Sequence, residues 1–232
     1  MKKLGVIGGL GPEASAYFYY LLTKRAKADK DQDHPDVFIL SIPSTPDRTA
    51  FITGKSSASP VEPLQHAART LEGLGAGFIA IPCVTAHFFY DEIAACVSIP
   101  IIHIIRETAG KLKCMGINRV GVLATAGTLE SGFVPPILAE YGITAYTPGS
   151  NGREILMRLI YGALKSGSGE NQTAMLSEVA EDQNLKKSQR LILACTELSL
   201  IKRDCGLDNF FIDPLEILAD RALALCKTLG GH

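Results

Sequence analysis

The chain has few aromatic residues (7%), no Cys-x-x-Cys pair and no excess of charge of either sign. Each shortage excludes a class of function. Twenty-three lysines and arginines stand against 24 acidic residues, a formal charge of −1. Without a basic stripe to neutralise phosphates, DNA and RNA are not expected partners. No apolar run approaches the roughly 18 residues needed to cross a bilayer, so no membrane association is expected. Two lysines and a short apolar stretch at the start resemble a signal peptide. Glycines and Glu13 break that stretch before an apolar core of roughly 7 to 15 residues forms, and it reads as the first strand of a cytoplasmic protein. No linker, low-complexity tract or long charge run divides the 232 residues. At roughly 150 residues per domain, that length fits one large domain or two small ones.

What is present is an ordinary globular composition, 47% hydrophobic and 20% charged, with six scattered cysteines: Cys83, Cys96, Cys114, Cys195, Cys205 and Cys226. A chain of this length folds without disulfide staples, so they read as reduced thiols. None has zinc-ligand spacing with a second cysteine or a histidine, and no metal is expected. Short β-branched runs alternate with helical patterns, the signature of α/β architecture with parallel strands. Strands are predicted at residues 4–7, 37–42, 78–81, 101–104, 119–124, 144–147, 191–194 and 210–213. After Ser59-Pro60, Leu64, Ala67, Ala68, Leu71 and Leu74 recur at helical spacing until Gly75 and Gly77 end the pattern. A closing helix from Pro214 places Leu215, Leu218, Ala222 and Leu225 on one face.

An internal echo suggests that the chain is built twice. Lys3 to Ser15 (KLGVIGGLGPEAS) resembles Arg119 to Ser131 (RVGVLATAGTLES), and FIAIPCVTAH resembles LILACTEL. Ile7 precedes Cys83 by 76 positions and Leu123 precedes Cys195 by 72. Two pseudo-symmetric parallel-sheet α/β halves follow, residues 1–99 with 213–232 forming the first and 100–212 the second.

Ligands of open parallel sheets bind beyond the carboxyl ends of the strands. Cys83 and Cys195 both fall there, each after an apolar strand and before a predicted helix whose free amides favour a thiolate. They are the candidate acid–base or nucleophilic groups; the other four cysteines read as structural. The loop Gly8-Gly9-Leu10-Gly11-Pro12-Glu13-Ala14 contains the spacing of a dinucleotide fingerprint. The second strand ends in Ser41-Ile42-Pro43-Ser44, without the acid that would hold a ribose, so NAD is not expected. The loop reads instead as a tight turn into a helix with Pro12 in its first turn, its amides free for a small carboxylate or serving the turn alone. Arg48 lies past the second strand on the crevice side, placed to clamp a carboxylate. Lys165 ends a helical pattern that begins near Asn151, where a lysine ordinarily serves only the helix dipole. His87, near Cys83, and His103, on a predicted strand, are read as hydrogen-bonding or core histidines, with a cysteine–histidine dyad as the alternative.

Taken in order, GGLGPEAS, DQDHPD, Pro46-Asp47-Arg48-Thr49, IPCVTAH, ATAGT and CTELSL resemble the aspartate/glutamate racemase family over nearly the whole chain. The resemblance implies two α/β halves with the active site between them, usually in a homodimer. It also implies a cofactor-independent proton transfer by Cys83 and Cys195, acting on a small acidic amino acid. Position by position, it places substrate contacts at Leu10, Arg48, Val84, Thr85, Thr128, Lys165 and Thr196, with Arg48 and Lys165 favouring an acidic side chain. Val84 departs from the family, which usually carries asparagine there; valine offers the substrate no hydrogen bond. Removing a Cα proton on one face and returning one on the other requires an acid and a base on opposite sides of the carbon, and two thiols satisfy this. Three alternatives share the scaffold: another superfamily reaction of hydantoin racemase or arylmalonate decarboxylase type, a catalytically silent amino-acid-binding protein, and a redox dithiol.

Overall fold

The computed structural model describes residues 1–163 and 171–227. Its first half runs β1 (Leu4–Gly8), α1 (Pro12–Arg25), β2 (Val37–Ser41), α2 (Arg48–Ile52), α3 (Val61–Gly73), β3 (Phe78–Ala80), a 3-10 turn (Thr85–Phe89) and α4 (Tyr90–Ala94). After α5 (Ile104–Cys114) come β4 (Arg119–Leu123), α6 (Ala126–Ser131), α7 (Val134–Glu140), β5 (Thr144–Tyr146), α8 (Ser150–Arg158) and a π-helical turn (Leu159–Ala163). The remainder is α9 (Gln172–Ala180), β6 (Arg190–Leu193), α10 (Thr196–Cys205), β7 (Phe211–Ile212) and α11 (Pro214–Lys227).

The strands form two parallel sheets, ordered β2-β1-β3 and β5-β4-β6-β7. In each, the first strand of the echo is flanked by its second and third counterparts, so the repeated sequence has become a repeated topology. Both faces of the central strands are buried, as crossover helices on either side demand. Alternate residues divide between cores. Leu4, Val6, Phe78 and Ala80 join Val120, Val122, Ile192 and Ala194 in one cluster with α1, α5, α7 and α11, a core continuous across both halves. Ile7, Ile79 and Ile81 face the opposite way onto α3; Leu191 and Leu193 do the same toward α8 and α9.

The expected strand at 101–104 is reduced to a single bridge, Ile79 with Ile101. His103 is not on a strand: its Nδ1 accepts from the Arg106 amide at 3.4 Å and caps α5. Here the imidazole takes the place of the usual short N-cap side chain, and α5 starts directly after it, leaving Ile101-Ile102 too short a run to extend the sheet. The stripe on α3 is seen as expected except for Leu74, which lies past the helix end and is half-exposed. Cys205 is the last residue of α10 rather than part of the following loop.

Candidate active site

A cavity of about 270 Å³ opens at the carboxyl ends of β1, β2, β3, β4 and β6. Its walls come from both halves, and at their junction glycine permits unusually close approach. A Cβ on Gly127 in α6 would stand 2.8 Å from the Thr49 Cα in α2. A Cβ on Gly9, where φ is +86°, would stand 2.3 Å from the Ile42 nitrogen, which explains the glycine loop without a dinucleotide. Pro12 opens α1 as expected. Ser15 occupies part of the loop, accepting from the Gly9 amide and donating to the Gly11 carbonyl, each at 2.9 Å.

Cys83 and Cys195 both line this cavity. Cys83 follows β3 and precedes the 3-10 turn, where a helix was expected; Cys195 is the N-cap of α10. Each belongs to the apolar cluster on the outer side of its own sheet, the same position in the two halves. The amide effect expected at the two thiols is present but outweighed. Burial pushes both thiols up, and the nearby amides of Ala86 and Glu197 offset only part of that effect. The two surroundings also differ. The Arg48 guanidinium favours a Cys83 thiolate, whereas the Cys195 thiol donates to Glu197 Oε2 at 2.9 Å and is pushed well above the ordinary value.

Of the expected substrate contacts, Leu10, Arg48, Val84, Thr85 and Thr196 line the cavity. Arg48 donates to the carbonyls of Leu10 (2.8 Å), Pro46 (3.2 Å) and Thr45 (3.4 Å). Its buried Nε has no hydrogen-bond partner among the described residues. Thr128 is displaced from the wall: its hydroxyl bonds to Thr85 at 2.9 Å and Thr125 at 3.2 Å, and Thr125 is the one that faces the cavity. The three hydroxyls tie the loop after β3 to the start of α6, one half to the other. Val84 is packed in the central core and 1% exposed. Lys165 lies outside the described residues. His87 does not form a dyad with Cys83. Its Nδ1 bonds to the Cys83 carbonyl at 2.8 Å, and its Nε2 lies 3.3 Å from the Ile104 amide that donates to it. Burial holds both His87 and His103 below the ordinary histidine pKa, His103 at about 3.

Asp47, Thr49, Tyr161 and Glu197 also line the cavity, and the sequence reading missed them. Glu197 had a signal: it lies two residues past Cys195, in the first turn of a helix that begins at the crevice. Tyr161 had none, since it arrives on a π-helical turn. Among the described residues, no group of three His, Cys, Asp or Glu side chains converges to hold a metal. No helix there is long and apolar enough to cross a membrane.

Residues 7–222 match the family described as Asp/Glu/Hydantoin racemase. The chain belongs to that family. This membership makes it an isomerase of the amino-acid racemase class. The racemase is similar to the broad specificity amino-acid racemase RacX of Bacillus subtilis, 26% identical over 219 residues that cover 85% of this chain and 86% of the relative. The structure of Picrophilus torridus aspartate racemase superposes with a TM-score of 0.84 at 29% identity, covering 97% of this chain and 94% of that one. An aspartate racemase homologue from Pyrococcus horikoshii OT3 gives 0.79 at 28% identity, over 97% and 99% of the two chains.

Proposed function

We propose that this racemase interconverts the enantiomers of a small acidic amino acid, aspartate or glutamate, by direct proton transfer at Cα between Cys83 and Cys195. The observation that carries the reading is that the two thiols occupy equivalent strand ends of the two halves and line one cavity. A carbon held between them faces one sulfur on each side, the arrangement that removal and return of a proton on opposite faces requires. Arg48 is the one cation among the described residues lining the cavity. Its positive charge at the cavity wall supports a role in receiving a carboxylate. Thr85, Thr125 and Thr196 offer hydroxyls that stabilise charge gathering on the substrate carboxylate as Cα loses its proton. The reaction needs no organic cofactor, because both thiols come from the chain. A homodimer in a reducing cytoplasm belongs to the same proposal.

A second reading, a wider amino-acid range, is supported by Val84 and by the apolar wall that Leu10 and Ile160 provide. Kinetics of single variants test the first reading. Either Cys83→Ala or Cys195→Ala abolishes racemisation with the fold retained, while Cys96→Ala, outside the cavity, leaves turnover nearly unchanged. Full activity in either of the first two variants sinks the two-thiol mechanism.

A further inference from the structure

The two thiols sit at matching points of a repeated fold, but their electrostatic surroundings differ: the Glu197 charge acts on both, and Arg48 offsets it at Cys83. Cys83 in the first half faces Arg48 of α2. Cys195 in the second half donates to the carboxylate of Glu197, from the first turn of its own helix. Glu197 Oε2 accepts from the Cys195 thiol at 2.9 Å and from the Thr196 hydroxyl at 3.5 Å, and the absence of a side chain at Gly11 leaves room for Oε1. Tyr161, from the π-helical turn, is the remaining titratable group that senses both Cys195 and Glu197, and burial keeps its hydroxyl protonated.

From this arrangement we infer that the pair is inequivalent in the free enzyme: Cys83 ionises first, and Glu197 is the residue that keeps the proton on Cys195. The inference rests on the two-thiol reading and specifies the starting state of that cycle. A substrate enantiomer whose Cα–H bond points at Cys83 reacts directly. The Cys83 thiolate takes the proton, the Cα electron pair is held by the carboxylate, and the Cys195 thiol protonates the opposite face. The enzyme is left with a Cys83 thiol and a Cys195 thiolate beside Glu197, two negative charges side by side. Release of a proton from Cys83 to solvent and uptake of one by Cys195 restores the starting state with all protons accounted for. The other enantiomer requires the reversed, higher-energy form. Burial opposes ionisation of both sulfurs, and so does the Glu197 charge; Arg48 offsets this at Cys83, whereas at Cys195 the direct hydrogen bond to Glu197 adds to it.

The two cysteines are similarly enclosed as residues, Cys83 being 5% and Cys195 4% exposed. Because the pH dependence of alkylation follows the thiolate fraction, the pH at which each cysteine begins to label reports its ionisation. The test is the initial rate of iodoacetamide labelling at each cysteine, read by peptide mass spectrometry from pH 6 to 10 on the ligand-free full chain. It is run on the wild type and on Glu197→Gln, whose amide can donate to a Cys195 thiolate. Cys83 is expected to label at least ten times faster than Cys195 in the wild type. In Glu197→Gln that ratio should fall at least several-fold, and the alkaline limb of the activity profile should move to lower pH, a shift that a purely structural residue would not produce. Equal labelling, Cys195 labelling first, or a ratio unchanged in folded Glu197→Gln overturns the inference. Should the variant fail to fold, the order in the wild type decides. Labelling needs no turnover: the predicted order without Cα exchange would leave this inference standing and remove the racemase reading, and exchange with equal labelling would do the reverse.

Discussion

Arg48 is a residue with more than one demand on it. Two of its nitrogens are committed to loop carbonyls, its charge favours the Cys83 thiolate, and its buried Nε has no partner among the described residues. If the Arg48 guanidinium receives the substrate's side-chain carboxylate, Arg48→Ala reduces kcat/KM for aspartate more than for alanine, by about 1.5–3 kcal/mol or roughly ten- to a hundred-fold. Equal losses on the two substrates would confine Arg48 to the loop and to Cys83. Position 84 has a different outcome. The valine is enclosed in the central core, so Val84→Asn buries an amide and lowers stability by about 1–3 kcal/mol, measured by urea unfolding. Unchanged stability would mean that the new amide has found a partner at the cavity wall.

Among the elements, the contact between α2 and α6 joins the halves through a glycine. Gly127→Ala places a methyl 2.8 Å from the Thr49 Cα, a backbone atom that cannot swing aside. The expected cost is about 1–3 kcal/mol. Because Thr49 and Thr125 line the cavity on either side of that contact, the same variant should lower kcat. Normal stability and turnover together would show that the halves separate there without consequence. This contact illustrates what the sequence could and could not reveal. Strand positions and the paired cysteines were legible because apolar periodicity and the repeat are local properties read along the chain. The exchange of Thr128 for Thr125 at the wall, the carboxylate beside Cys195 and the arrival of Tyr161 depend on how the halves meet. For the thiols' ionisation, the favourable amides are visible in a sequence pattern, and the depth of burial that outweighs them is not.

Across the whole molecule, pH acts through groups that the fold buries. Asp213, at the end of β7, accepts at Oδ1 from the Ser199 hydroxyl (2.7 Å) and the Leu215 amide (2.8 Å), while its Oδ2 has no partner among the described residues. Burial raises its pKa from 3.8 to about 6. The folded state therefore binds the proton more tightly than the unfolded one, and stability falls as pH rises from 3.8 through about 6. The difference amounts to about 3 kcal/mol. Urea unfolding across that window should show the decline in the wild type and a flatter curve in Asp213→Asn; equal slopes would show that Asp213 does not titrate in the fold. Activity should follow the opposite course, rising from neutral into alkaline pH as the raised Cys83 thiol ionises. The central claim, proton exchange at Cα between two thiols, is tested most directly by incubating the enzyme with L-aspartate in deuterium oxide and following the Cα signal by NMR. The account predicts loss of the Cα proton signal together with appearance of deuterated D-aspartate, and neither in Cys83→Ala or Cys195→Ala; bound L-aspartate that keeps its Cα proton in the wild type would contradict it.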